Sequence, residues 1–143
     1  MTATDQTSII EESRVDLCDL SDSGAAIGAA RHMAARAGFG ETEQCLIATA
    51  VSELATNIIR YAGSGEVTVR AVRDGRREGV EVVALDRGPG ISDVAKAMQE
   101  NYSTGNSLGL GLPGVKRIMD EFTIDSTPGR GTRCVARKWR SAP

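Results

Sequence analysis

Gln44–Tyr61, QCLIATAVSELATNIIRY, decides how the rest of this chain is read. Ile47, Val51, Leu54, Ile58 and Tyr61 recur at i, i+4, i+7, i+11 and i+14, one apolar stripe on a 3.6-residue period. The spacing predicts a long amphipathic helix. Beside the stripe, Thr49, Glu53, Asn57 and Arg60 share a neighbouring face, so that a carboxylate, an amide and a guanidinium project together. On its own such a face is a solvated one. Its company further along the chain gives it a second meaning.

Towards the N-terminus, Glu41–Thr42–Glu43 opens the helix, with Thr42 as its expected cap. An alanine-rich helix is expected to precede it, capped by Asp22 or Ser23, running to about Ala37 and ended by Gly38 and Gly40. Ser8–Asp19, with Ile10, Val15 and Leu17, alternates weakly and reads as a first strand; residues 1–7 read as a loose tail. On the C-terminal side, Gly63–Ser64–Gly65 breaks the central helix. Val67–Val72 and Val80–Leu85 are β-branched, alternating segments joined through Asp74–Gly75 and a charged tip, a hairpin pattern. The second runs into Asp86–Arg87–Gly88–Pro89–Gly90. A short helix near Asp93–Glu100 and a polar stretch, Asn101–Ser107, come next. Gly109–Leu110–Gly111–Leu112–Pro113–Gly114 then leads into a helix with Val115, Ile118, Met119 and Phe122 on its core face. Phe122–Ser126 and Thr132–Trp139 form a second hairpin about Pro128–Gly129–Arg130–Gly131. The expected fold is an α/β (α+β) two-layer sandwich over residues 1–143, a mixed, mostly antiparallel sheet with helices on one face.

Composition narrows the function. The chain has 143 residues, enough for one real core and too few for two ordinary ones. A net charge of −2 with 3% aromatic residues argues against a nucleic-acid surface or base-stacking platforms. Cys18, Cys45 and Cys134 are odd in number and widely spaced, which fits reduced thiols in a cytoplasmic protein. His32 is the only histidine, leaving little for triad chemistry or a multi-histidine metal site. Neither a signal peptide nor an apolar run of membrane-spanning length is evident, so no membrane role is expected. Arg76–Arg77 and Lys138–Arg140 read as solvated surface.

Four short constellations have chemical content. Glu53 can take a proton from an attacking hydroxyl, and the Asn57 amide oxygen one turn later can ligate a hard cation such as Mg²⁺. Asp86 at a strand end can accept from an exocyclic amine, while Gly88 and Gly90 let backbone approach a flat ring. Thr104–Gly105–Asn106–Ser107–Leu108–Gly109–Leu110–Gly111 is glycine-rich backbone entering a helix, a phosphate-binding arrangement. Gly129–Arg130–Gly131–Thr132 makes a tight turn and presents a hydroxyl. Gly109, Gly111 and Gly114 also spell the dinucleotide fingerprint, but no strand immediately precedes them; a P-loop motif is missing altogether.

In this order and on these elements, the four resemble the Bergerat ATP-binding fold of the GHKL superfamily (gyrase, histidine kinase and MutL among them), from about Ser8 to Trp139. The resemblance implies that Asn57 holds Mg²⁺ on the ATP phosphates and that Glu53 is the general base. By the same analogy Asp86 binds the adenine amino group, Gly88 and Gly90 admit the ring and Thr132 supports it. Thr104, Gly105, Leu108, Gly109, Leu110 and Gly111 would then belong to the ATP lid and phosphate cradle, and Arg60 would meet the γ-phosphate or a partner. Glu53–Asn57, Arg60–Gly63 and Leu112–Phe122 are similar to the RsbT-type serine/threonine switch kinases, with RsbW/SpoIIAB anti-sigma kinases less close. That kinship implies phosphorylation of STAS-domain scaffolds (RsbS/RsbR-like) and binding of a PP2C-type phosphatase (RsbU-like). The alternatives are an anti-sigma factor or nucleotide-gated binding module without kinase activity, and a simple ATPase.

Overall fold

The computed structural model describes residues 6–90 and 111–140. Five strands, β1 (Ser8–Leu17), β2 (Gly65–Asp74), β3 (Arg77–Asp86), β4 (Glu121–Thr127) and β5 (Gly131–Trp139), form one sheet in the order β1-β2-β3-β5-β4. Every pairing among the described residues is antiparallel, in keeping with the expected mostly antiparallel sheet. The reason lies in the connections. Two hairpins supply β2–β3 and β4–β5, and the pair α1 (Ser23–Arg36) and α2 (Glu41–Tyr61) carries the chain from β1 back to an antiparallel neighbour. A third helix, α3 (Gly111–Ile118), packs beside α2.

The strand period of two divides the sheet into unlike faces. Val67, Val69 and Ala71 of β2, Val80, Val82 and Ala84 of β3, and Cys134 and Ala136 of β5 point at the helices and are buried. Ile47, Val51, Leu54 and Ile58 of α2 meet them, and each such side chain contributes about 1.5–3 kcal/mol by leaving water. The predicted stripe therefore forms the core, except at Tyr61, which is 53% exposed. Tyr61 is the last residue of α2, where the following Ala62 and left-handed Gly63 (φ +86°) turn the chain towards β2.

Several local expectations change. Gly40, not Thr42, stands at the N-terminus of α2, and Thr42 lies inside the helix. Asp22 precedes α1 without capping it; its carboxylate instead accepts from the backbone of Cys18 (2.7 Å) and Asp19 (3.2 Å) in a preceding 3₁₀ turn. Phe122 belongs to β4 rather than to α3, because α3 ends at Ile118 and Met119 completes its apolar face. Lys138 is not a solvated cation. It reaches across the core side to donate to the Ile118 carbonyl at the end of α3 (2.9 Å) and to pair with Glu43 at the start of α2 (3.4 Å).

The opposite face of the sheet carries a charged rung. Register places Glu12, Arg70, Glu81, Arg137 and Glu121 side by side across all five strands. Glu81 is only 7% exposed there and binds Arg70 through one oxygen (2.8 Å) and Arg137 through the other (2.7 Å). Cross-strand pairs of opposite charge in this geometry fix register as well as adding stability.

Candidate functional site

The site is built where β3 and β5 run out beneath the C-terminal half of α2. Gly65, Asp86, Thr132 and Ser126 are register partners in turn, which makes them one rung across β2, β3, β5 and β4 on the helix-facing side. Gly65 brings no side chain to it, and none would fit. A β-carbon there would stand 2.7 Å from Ile58 Cγ2 and 3.2 Å from Asp86 Cβ. The helical turn that carries Asn57 thus lies directly against the strand end that carries Asp86.

The loop after β3 is fixed on both sides. The Asp86 carboxylate accepts from the Gly88 N–H at 2.9 Å, an Asx turn that folds the loop back over the strand end. Gly88 abuts Ala62 just past α2, where a β-carbon would come within 2.5 Å of the Ala62 β-carbon. Pro89 accepts from the Gly129 N–H at 2.7 Å, and Gly90, at φ +78°, packs on the Thr127 backbone. The two glycine-rich turns, forty residues apart in the sequence by their numbering, are one structure.

Glu53 and Asn57 are half-buried on α2, with Arg60 exposed one turn further on. Thr49, on the same face, spends its hydroxyl on the Cys45 carbonyl at 2.8 Å. Thr132 is half-buried and its hydroxyl lies 2.8 Å from that of Ser126. Behind it, Cys134 has its thiol pushed up to about 12 by burial and by the negative charge of Asp86. Gly111 opens α3 at φ +52°. Thr104, Gly105, Leu108, Gly109 and Leu110, with the Asn101–Ser107 stretch and the helix expected near Asp93–Glu100, lie outside the described residues.

Of the expected residues, the structure therefore gathers Asp86, Gly88, Gly90 and Thr132 about one strand end, beside the helix that bears Glu53, Asn57 and Arg60. Sequence reasoning passed over Gly65, Ala62 and Ser126. Their contribution is a register or a close approach, which residue type alone does not announce. Among the described residues no cluster of three or more His, Cys, Asp or Glu side chains could hold a metal ion by itself. The Asn57 carboxamide offers one hard oxygen, which suits a cation that takes its other ligands from phosphate and water.

Residues 19–138 match the family model of the histidine kinase-like ATPase domain. The chain belongs to that family. The serine/threonine-protein kinase RsbT of Bacillus subtilis is 49% identical over 109 residues, spanning 76% of this chain and 82% of that protein. An anti-sigma F factor of Caldanaerobacter subterraneus is 41% identical over 92 residues, and one of Thermoanaerobacter sp. 39% over 92 residues; each match covers 60% of this chain and 63% of the relative. Within the family, the chain groups with the serine/threonine-protein kinases of the RsbT type, and kinship to anti-sigma factors is the second affinity.

Proposed function

We propose that the protein is a serine/threonine kinase that transfers the γ-phosphoryl group of ATP to a hydroxyl of a STAS-domain partner in a cytoplasmic partner switch. The observation that carries this reading is the close approach of Ile58 to Gly65, the register partner of Asp86, because it brings the Glu53 carboxylate and Asn57 carboxamide of α2 next to the rung that bears Asp86 and Thr132. Asp86, an acceptor, would take the adenine amino group, with Gly88, Gly90 and Thr132 around the ring. Asn57 would hold Mg²⁺ on the phosphates, whose charge the cation offsets, while Arg60 would meet the γ-phosphate or the partner. Thr104, Gly105, Leu108, Gly109, Leu110 and Gly111 would bind the phosphates.

Glu53 would accept the proton as the partner's Ser or Thr oxygen attacks. An O–P bond forms to the γ-phosphorus, the bond to the β–γ bridging oxygen breaks, and ADP leaves. In such transfers the protein chiefly positions the groups and neutralises charge. Kinship to anti-sigma factors supports a further element, holding and releasing protein partners, with a PP2C-type phosphatase as the second one in the switch.

The test is intact-mass analysis of a STAS-domain partner incubated with this protein and Mg·ATP, beside a Glu53→Ala control. One phosphate added to a Ser or Thr by the wild-type protein alone is the expected result. ATP binding without transfer would leave the binding module as the function.

A further inference from the structure

We infer that Lys138 is a positioning residue for phosphate binding, an inference that rests on the nucleotide reading above. By joining the end of α3 to the start of α2, it sets where Gly111 stands against Glu53 and Asn57. Lys138 belongs to β5, and its ammonium donates to the carbonyl of Ile118, the last residue of α3, at 2.9 Å. The same nitrogen pairs with Glu43 in the first turn of α2 at 3.4 Å, and the lysine side chain is only 14% exposed. Three N–H groups on one nitrogen let it serve both partners at once. A cation at the carbonyl end of a helix is also favoured by the helix dipole.

The bridge fixes direction as well as distance. The C-terminal end of α3 meets the N-terminal end of α2, and the two helices pack together, so α3 runs back along α2. At ~1.5 Å of rise per residue, Gly111 lies ~10 Å from Ile118 and Glu53 ~15 Å from Glu43. The N-terminus of α3 therefore comes up beside the stretch of α2 that leads into Glu53 and Asn57. The helix α3 has only eight residues, and the large apolar side chains it buries are Leu112 and Val115, with Met119 just beyond. Apolar contact is non-directional and lets so short a helix shift along its neighbour, whereas a charge-assisted hydrogen bond to its last carbonyl does not. The turn after α3 is tied to β5 separately. There the Asp120 N–H donates to the Arg137 carbonyl at 2.9 Å and the Trp139 N–H to the Asp120 carboxylate at 2.8 Å. Both contacts lie on the sheet, and Lys138 carries the tie across to α2.

The experiment is calorimetric titration of Mg·ATP, alone and in competition with adenosine, into the wild type, Lys138→Met and Glu43→Gln. Adenosine has the base and sugar without the phosphates, so the ratio of the two affinities reports phosphate binding. Lys138→Met keeps an apolar stem and loses the charge; its ratio should fall about tenfold, with adenosine binding unchanged. Glu43→Gln leaves the bond to Ile118 and should lower the ratio less, about threefold. The Glu43 side chain is 45% exposed, so this second variant keeps the test if Lys138→Met does not fold. Equal losses for ATP and adenosine, or an unchanged ratio in either folded variant, overturn the role of Lys138 and leave the nucleotide site standing. A wild type that binds neither ligand, or binds ATP no better than adenosine, overturns the phosphate site and the role of Lys138 together.

Discussion

Gly131 lies so close against Asp86 that a β-carbon on it would overlap the Asp86 carbonyl oxygen and stand 2.8 Å from the α-carbon of Arg87. Its φ of +111° is also one that side-chain-bearing residues rarely adopt. Close approach and backbone conformation both require glycine here, and both act on the rung that joins Asp86 to Thr132. Gly131→Ala should cost about 2–4 kcal/mol of stability and weaken ATP binding with it. Thermal unfolding and nucleotide titration of the same variant check the two effects together. Gly129→Ala, with open space around it and only its positive φ of 80° at stake, should cost less, about 1 kcal/mol.

The reading of Glu53 and Asp86 separates binding from chemistry. Glu53→Ala should bind ATP as the wild type does and lose about 10²–10⁴-fold in transfer rate. Asp86→Asn keeps the shape but replaces one acceptor by a donor, and should weaken ATP binding by roughly tenfold or more. Calorimetry and a radiolabelled transfer assay on both variants distinguish the two roles. Wild-type transfer by Glu53→Ala would remove it from the base position.

Glu81 predicts a stability effect with no catalytic counterpart. Its carboxylate is nearly buried between Arg70 and Arg137, whose own side chains are only 27% and 20% exposed. Removing it takes from Arg70 and Arg137 their most buried partner and leaves them to the more exposed carboxylates of Glu12 and Glu121. Glu81→Ala should destabilise by about 2–4 kcal/mol, whereas Asp74→Ala, which breaks the exposed pair with Arg77, should cost under about 0.5 kcal/mol. Denaturant unfolding of the two variants under one buffer makes the comparison. The charge on Arg77 is further held over the Trp139 ring at 4.1 Å, a contact that Asp74→Ala leaves in place.

The three thiols should react unequally. Cys18 and Cys45 are exposed, while Cys134 is 5% exposed and has its thiol pushed up to about 12. At pH 8 Ellman's reagent should titrate two thiols in the folded protein and the third only on unfolding. The sign of the linked pH effect follows from the raised value. Folding holds Cys134 protonated, so its contribution is full below the ordinary thiol value of 9.0 and is lost as pH rises towards about 12. Alkaline unfolding of Cys134→Val should therefore set in at higher pH than that of the wild type.

The elements and their two periods are written in the amino-acid order. Ile47, Val51, Leu54 and Ile58 declared a buried helix stripe because a 3.6-residue repeat has no other use, and Val67–Val72 and Val80–Leu85 declared a hairpin around Gly75. That Asp86 ends one strand and Thr132 opens another was legible as well, since glycine-rich strings mark where the strands stop. Which of these strings touch follows from the packing of the whole chain. Lys138 was indistinguishable from a surface lysine until α2 and α3 converged on it, and Glu81 from any solvated glutamate until register set it between two arginines. Gly65 and Ser126 carry no motif, yet one leaves room for Ile58 against the strand and the other lies within hydrogen-bond distance of the Thr132 hydroxyl. Local pattern fixes which face a residue occupies. Strand register and helix docking, which depend on the whole core, fix what that face meets.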